Sequence, residues 1–355
     1  MHNIALMPGD GIGPEITRAA VQVIESTGVD IHWVELKGGE GARQQLGTPL
    51  PDETLESYIQ YGVGFKGPFT VEMEDAVVSP GWRRGVPGGR PPKSYNSATN
   101  ALRIEGGGFA AIRLARNFPG VPAPIQGIDM VIVREISEDV YVASEYTVGD
   151  DTAVALKIIS RKASEKVVRF AFEFARSCGR RKVTAIHKAN VLKQTDGLFV
   201  RVAREVAQEY PQIEFSEQFI DAACALVVAR PSLFDVAVMP NQYGDIMSDL
   251  CSSAAGSLGL GAGATYGTEA SLFEPVHGTA PDIAGRGIAN PVSQILSGAL
   301  MLRHLREDQA AHAIERAADD ALLSPNNHTP DLGGKATTEG LTQAIIDRIP
   351  QFMPK

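Results

Sequence analysis

Short β-branched runs alternate along this chain with stretches of helical period, and that alternation restricts it to sheets packed against helices. Strands are predicted at Asn3–Met7, Ile31–Leu36, Met130–Arg134, Lys182–His187, Ile213–Gln218 and Asp235–Met239. Between them, Glu15–Ser26, Ser164–Ser177, Thr195–Tyr210 and Ala222–Val228 carry apolar residues at helical spacing. The C-terminal part reads as mainly helical. A proline opens Pro291–Leu305, where its missing N–H is harmless, and Asp308–Leu323 is amphipathic. An α/β protein follows, and a chain of 355 residues usually divides into two domains.

A formal net charge of −9 argues against sequence-independent nucleic-acid binding, which needs a surplus of Lys and Arg facing phosphate. No apolar run is long enough to span a bilayer, and Met1–Asp10 has no signal-peptide pattern, so neither nucleic acid nor membrane is an expected partner. Cys178, Cys224 and Cys251 are widely separated and lack zinc-site spacing, which fits a reducing, cytoplasmic compartment.

The turn Met7-Pro-Gly-Asp-Gly-Ile-Gly-Pro-Glu15 follows a strand and opens a helix, as a dinucleotide-binding Rossmann turn does. Its glycines fall at 9, 11 and 13, whereas G-x-G-x-x-G requires one at 14, which is Pro14. A proline there removes an amide donor and the close helix–strand approach. The turn reads as a strand-to-helix connection needing positive φ, not as a Rossmann phosphate cradle.

Asp245 and Asp249 are four apart in Asn241-Gln-Tyr-Gly-Asp-Ile-Met-Ser-Asp249, which puts them on one face of a helix. A hard divalent cation relieves the repulsion of such a pair. Taken alone, the pair is better accounted for by Asp245 capping the helix and Asp249 being solvated. Glu274–Asn290 mixes glycines with hydrogen-bonding side chains and reads as a long loop able to wrap a nucleotide, though surface loops can look similar. Arg103, Arg113 and Arg134 suit a polycarboxylate, because each guanidinium can grip a carboxylate bidentately. Lys188 follows a strand, where α/β sheets place functional side chains. Ser79–Ser97 is rich in Pro and Gly, carries Arg83, Arg84, Arg90 and Lys93 without an acid, and reads as an exposed loop.

Together these motifs resemble the isocitrate/isopropylmalate dehydrogenase family from Ile4 to about Thr338. The markers are Pro8-Gly-Asp-Gly-Ile-Gly-Pro-Glu15, Lys66-Gly-Pro68, Leu102-Arg103, Arg134-Glu135 with Tyr141, His187-Lys-Ala-Asn190, Asp221, Gly244-Asp-Ile-Met-Ser-Asp249, His277-Gly-Thr-Ala-Pro-Asp-Ile-Ala-Gly285 and Asp331-Leu-Gly-Gly334. The resemblance implies a two-domain α/β fold that is not a Rossmann fold, with the active site in a cleft. Residues 1–102 and 253–355 would form the large domain and 103–252 the smaller central one. It implies a homodimer with shared sites, in which Asp245 and Asp249 bind Mg2+ or Mn2+ with Asp221 of the other subunit. Lys66, Ser97, Arg103, Arg113 and Arg134 would bind the substrate, a small hydroxy polycarboxylate. Lys188 of the partner subunit would help remove the hydroxyl proton, hydride would pass to the nicotinamide, and Tyr141 would protonate C3 after CO2 leaves. Asn190, His277, Gly278, Thr279, Ala280, Asp282, Ile283 and Asn290 would bind the cofactor.

In this family the adenosine ribose is met by the two residues after His-Gly-Thr-Ala-Pro, here Asp282 and Ile283. A carboxylate accepts hydrogen bonds from ribose hydroxyls and repels a 2′-phosphate, so NAD is expected. Lys66 and Ser97 resemble the isocitrate type, which binds an anionic γ-group, where the isopropylmalate type presents leucines. The expected substrate is isocitrate, homoisocitrate or, given the basic segment, a phosphonate such as 3-(phosphonomethyl)malate. The basic segment also reads as a solvated insertion. Alternatives are 3-isopropylmalate, tartrate or D-malate as substrate, or a non-catalytic regulatory paralogue. Departures from the family are Thr99 in place of Asn in Ser97-Ala-Thr-Asn-Ala-Leu-Arg103, Ile136 after Arg134-Glu135, and a stretch Phe118–Gln126 without Asn-x-Arg-Pro.

Overall fold

The computed structural model describes residues 1–71, 95 and 97–353. Arg83, Arg84, Arg90 and Lys93 of the basic segment lie outside the described residues. Along the chain run β1 (His2–Met7), α1 (Gly13–Glu25), β2 (Ile31–Glu35), α2 (Glu40–Leu46), α3 (Asp52–Tyr61), β3 (Val63–Lys66) and α4 (Ala98–Glu105). Next come β4 (Gly108–Arg116), β5 (Asp129–Glu135), β6 (Glu145–Val148), β7 (Thr152–Ala155), α5 (Arg161–Ser177), β8 (Lys182–His187), α6 (Thr195–Ala207), β9 (Glu214–Phe219), α7 (Ile220–Ala229), β10 (Val236–Met239) and α8 (Asn241–Ala254). The chain finishes with β11 (Ala262–Gly267), β12 (Ser271–Pro275), α9 (Val292–His304), α10 (Asp308–Leu322) and α11 (Thr338–Ile346).

These elements form two compact units, Met1–Gly108 with Phe118–Pro122 and Ser257–Lys355, and Phe109–Asn117 with Ala123–Gly256. In the first unit the strand order is β2-β1-β3-β12-β11, parallel except for the last pair. In the second it is β4-β5-β10-β8-β9, parallel except for β4 against β5. β6 and β7 make a separate antiparallel ribbon. Strands alternating with covering helices make this an α/β protein, as the pattern of the sequence requires.

The C-terminal part is mainly helical, as expected, but β11 and β12 are two strands in it that the sequence reading does not anticipate. Ala262-Gly-Ala-Thr-Tyr-Gly267 has too few large apolar residues to show alternation, yet Ala264, Leu272 and Phe273 are fully buried. The reason lies in α9, whose residues Val292–Leu302 are all buried and which packs on both strands, α1 and α10. Small residues on β11 allow that close helix. Two α9 serines are satisfied by the strands beneath. Ser297 Oγ donates to Glu274 O (2.9 Å) and accepts from Gly263 N–H (3.1 Å), while Ser293 Oγ accepts from Val276 N–H (3.1 Å).

The N-terminal glycine turn spends its amides inside the protein. Asp10 N–H donates to Pro68 O (2.8 Å), Ile12 N–H to Thr279 O (2.9 Å) and Gly13 N–H to Asp10 O (2.8 Å). With these three amides bound inside the protein, and Pro14 in place of the third glycine, the turn cannot present the run of N–H groups of a Rossmann phosphate cradle. Asp10 also accepts from Glu40 N–H and Thr70 N–H, both at 2.8 Å. Gly11 has φ +58°, and a Cβ there would sit 2.1 Å from Thr279 O. Gly11→Ala is therefore expected to cost about 3 kcal/mol, through strain and the forced retreat of the loop at Thr279. Thermal denaturation should show a fall in Tm of several degrees; an unchanged Tm would mean the turn relaxes freely.

Candidate active site

α8 explains how the two aspartates of the second unit come to lie together. Met247, Cys251 and Ala254 are buried in that unit's core at helical spacing, which turns Asp245 and Asp249 to the other side. The helix start is tied down from two directions. Asn241 Oδ1 accepts from Arg134 Nε (2.8 Å) and its amide donates to Glu138 O (3.0 Å). Asp139 Oδ2 accepts from Gln242 N–H (3.0 Å), one of the amides with no partner within the helix. Gly244 is required by packing, since a Cβ there would lie 2.5 Å from the Arg134 side chain.

Arg134 and the Tyr141 hydroxyl both hydrogen-bond Asp245, and the guanidinium lies 4.9 Å from the Tyr141 ring centroid. Burial, and then the bond to Asp245, pushes the Tyr141 hydroxyl up to about 12. Burial followed by the charge of Asp245 raises the Asp249 carboxyl, against the pull of Arg113 and Arg134. Ala111 pairs with Arg134 across β4 and β5, so Arg113 projects on the same face as Arg134. Arg113 is buried and donates to Ile112 O (3.0 Å).

The donor chemistry of the α8 pair fits a divalent cation, because two carboxylates one turn apart repel each other and a hard cation with oxygen ligands relieves that. Among the described residues no three His, Cys, Asp or Glu cluster as a metal site. Asp221, in the first turn of α7, instead pairs with Lys188 at 2.5 Å and is 68% exposed. The Lys188 ammonium holds that carboxyl below the usual aspartate range. Lys188 directly follows β8, and its N–H donates to Asp196 (2.6 Å). Asn190, two residues on, is exposed.

In the first unit Glu274 accepts from both expected substrate-binding cations, Lys66 at 3.0 Å and Arg103 at 2.5 Å. Lys66 is 2% exposed, donates to Gly67 O (2.8 Å) and lies over the Phe69 ring. Burial lowers its pKa, with Glu274 opposing. Ser97 caps α4 by accepting from Asn100 N–H (3.1 Å), and Arg103 sits in the last turn of that helix.

The loop after β12 has an open, polar lining. His277 Nδ1 lies 3.0 Å from Gly278 O, while its buried Nε2 has no partner, and burial lowers the ring pKa. A Cβ at Gly278, Gly285 or Gly287 would meet nothing within 4 Å. Ala280 takes φ +39°, Asp282 is exposed, and Ile283 packs with Ile12 and Ile16. Thr279 receives the Ile12 amide. Asn290 donates to Asp331 (3.0 Å) and accepts from Val292 N–H (3.0 Å), which fixes the loop's far end. An orphaned imidazole nitrogen, bare glycines and an exposed carboxylate fit a nucleotide.

Two residues escaped sequence reasoning. Glu274 was legible only as part of a loop, although a buried acid beside two cations is what neutralisation demands. Asn241 opened the aspartate motif, but its bond to Arg134 spans 107 positions.

A family profile described as isocitrate/isopropylmalate dehydrogenase matches residues 3–349. Catalytic subunit 5 of the mitochondrial NAD isocitrate dehydrogenase of Arabidopsis thaliana is 41% identical over 345 residues, 97% of this chain and 87% of that one. The 3-isopropylmalate dehydrogenase of Archaeoglobus fulgidus is 40% identical over 338 residues, 95% of this chain and 96% of its own. The crystal structure of isocitrate dehydrogenase from Methylococcus capsulatus superposes with a TM-score of 0.89 at 42% identity, covering 98% of this chain and 99% of that one. The chain belongs to the isocitrate/isopropylmalate dehydrogenase family, whose members oxidatively decarboxylate hydroxy acids.

Proposed function

We propose that the protein is a metal- and NAD-dependent decarboxylating dehydrogenase, acting on a 3-carboxy-2-hydroxy acid with an anionic γ-group. The observation that carries the reaction type is the convergence of Arg134 and the Tyr141 hydroxyl on Asp245, one helical turn from Asp249. The buried Lys66, paired with Glu274 and beside Arg103, favours an anionic γ-group over an isopropyl one. A cation with so little solvent is offset by anions far better than by an alkyl group.

Asp245 and Asp249 would hold Mg2+ or Mn2+, completed by Asp221 of a second copy. Tyr146 and Val148 on the ribbon, Val228 on α7 and Ile246 on α8 leave apolar side chains exposed, which supports such a homodimer. The loop at His277–Ile283, with Asn290, would hold the cofactor, and the resemblance adds Asn190 to the cofactor residues. When bound, the cation polarises the substrate hydroxyl and takes up charge as CO2 departs, and NAD accepts the hydride. Arg103, Arg113 and Arg134 are the residues proposed to grip carboxylates. Lys188 helps remove the hydroxyl proton, and Tyr141 returns a proton to C3. The three cysteines are free, in keeping with a cytoplasmic setting. Among the described residues no helix is long and apolar enough to cross a membrane.

The test is a panel of isocitrate, homoisocitrate, 3-(phosphonomethyl)malate, 3-isopropylmalate, tartrate and D-malate, each with NAD or NADP and with or without Mn2+. Metal-dependent NADH formation, best on an anionic γ-group, is expected. Best turnover of 3-isopropylmalate would overturn the substrate reading, and no turnover of any compound would favour a regulatory paralogue. The exposed Asp282 should make kcat/KM for NAD exceed that for NADP by about tenfold or more, since repulsion of a 2′-phosphate is worth over about 1.4 kcal/mol. Asp282→Lys should narrow that ratio.

A further inference from the structure

The second unit buries two carboxylates around one ammonium group. Asp139 and Asp196 are both 0% exposed, and Lys157 Nζ stands 2.8 Å from the first and 3.6 Å from the second. Burial of two acids against a single cation is costly, and folding alone would be served as well by apolar side chains of the same size. Three further bonds of the cluster go to the backbone beside each proposed reactive group. Asp139 Oδ1 accepts from Val140 N–H (2.8 Å), next to Tyr141, and Oδ2 from Gln242 N–H (3.0 Å), at the start of the helix carrying Asp245 and Asp249. Asp196 Oδ2 accepts from the N–H of Lys188 itself (2.6 Å).

The first turn of α8 is tied in a second time. The Tyr243 ring centroid is 4.6 Å from Lys157 Nζ, and burial together with the charge of Asp196 raises the pKa of its hydroxyl. Asp139 moreover adopts φ +73°, a region that non-glycine residues avoid. Its N–H donates to Ile158 O (2.8 Å), directly after Lys157, so the strained residue is held from both sides.

We propose that Lys157, with Asp139 and Asp196, is a positioning group that fixes Tyr141, Lys188 and the start of α8 relative to one another. This rests on the roles of Tyr141 and Lys188 proposed above. One brace then serves two steps, through Asp196 to the residue that removes a proton and through Asp139 to the residue that returns one.

Two rates test it. One is NADH formation from the best hydroxy acid of the panel. The other is decarboxylation of the matching 2-oxo-3-carboxy acid supplied in solution, which involves no hydride transfer. Lys157→Met is expected to lower kcat in both assays by roughly ten- to a hundredfold, with KM within about threefold, since a small misplacement of reacting groups acts on kcat. Lys157→Arg should recover part of both. Asp196→Asn should slow mainly the oxidation and Asp139→Asn mainly the decarboxylation, a split that general loss of stability would not produce. If Lys157→Met folds poorly, Asp196→Asn and Asp139→Asn, each nearly isosteric, still carry the split between the two rates. The proposal is overturned if Lys157→Met keeps both kcat values within about twofold, or if Asp196→Asn and Asp139→Asn slow both rates equally. An inert wild-type protein would count against the functional reading itself, whereas an active one with indifferent variants would count against the brace alone.

Discussion

Asp245→Asn is expected to lower kcat/KM on the order of a thousandfold, because Lewis-acid stabilisation is worth several kcal/mol and about 4 kcal/mol corresponds to that factor. The change is nearly isosteric. The amide oxygen can accept from Arg134 or from Tyr141 but not from both, because the second carboxylate oxygen is replaced by an NH2 donor, so one of the two side chains loses its anchor on α8. What disappears is one of the two negative charges that this chain offers to a cation. A second measurement is independent of turnover. Mn2+ at about a hundred times its Kd should stabilise the wild-type protein by about 2.7 kcal/mol, and the rise in Tm should largely vanish in Asp245→Asn. A variant that keeps both its activity and its Mn2+-dependent Tm shift would remove α8 from the metal site.

Lys188→Met should lower kcat by about a hundredfold to ten-thousandfold, the range typical for loss of a general base, while leaving the Mn2+-dependent Tm shift in place. Lys188→Arg separates proton transfer from charge. It can still pair with Asp221, which now has Lys188 at 2.5 Å, but a guanidinium does not deprotonate at working pH. It should therefore be nearly as slow as Lys188→Met; wild-type turnover by Lys188→Arg would exclude Lys188 as base. The two inactive variants also test the proposed sharing of sites between subunits. Mixed and reassembled, Asp245→Asn and Lys188→Met chains would form heterodimers with one intact site each, restoring roughly a quarter of wild-type activity. Sites contained within a single chain would give no recovery.

Local signals carried much of this fold. The strand Lys182–His187 is read residue for residue, because β-branched content and the flanking charges both mark it. The α9 and α10 helices are recovered to within a residue at each end, from a proline start and a clean amphipathic stripe. β11 and β12 were hidden because the cover over them, α9, is what makes small residues suitable there. The site divides in the same way. Asp245 and Asp249 announce themselves through helical spacing. The pairing of Glu274 with Arg103 spans 171 positions, and the cluster of Asp139, Lys157 and Asp196 joins three ordinary charged residues from separate elements. No periodicity encodes such meetings; topology creates them.

The stretch 72–94 begins and ends on firm footings. Thr70 is moored to Asp10 through its N–H, and Tyr95, 5% exposed, is moored to Glu105 through its hydroxyl. Both moorings lie in the first unit and are made by residues outside the stretch. Doubling the length of a tethered segment costs only about 0.6 kcal/mol in closure entropy. The scaffold can therefore accept inserts of different length and charge between these two moorings as interchangeable cassettes, with the rest of the first unit left as it is.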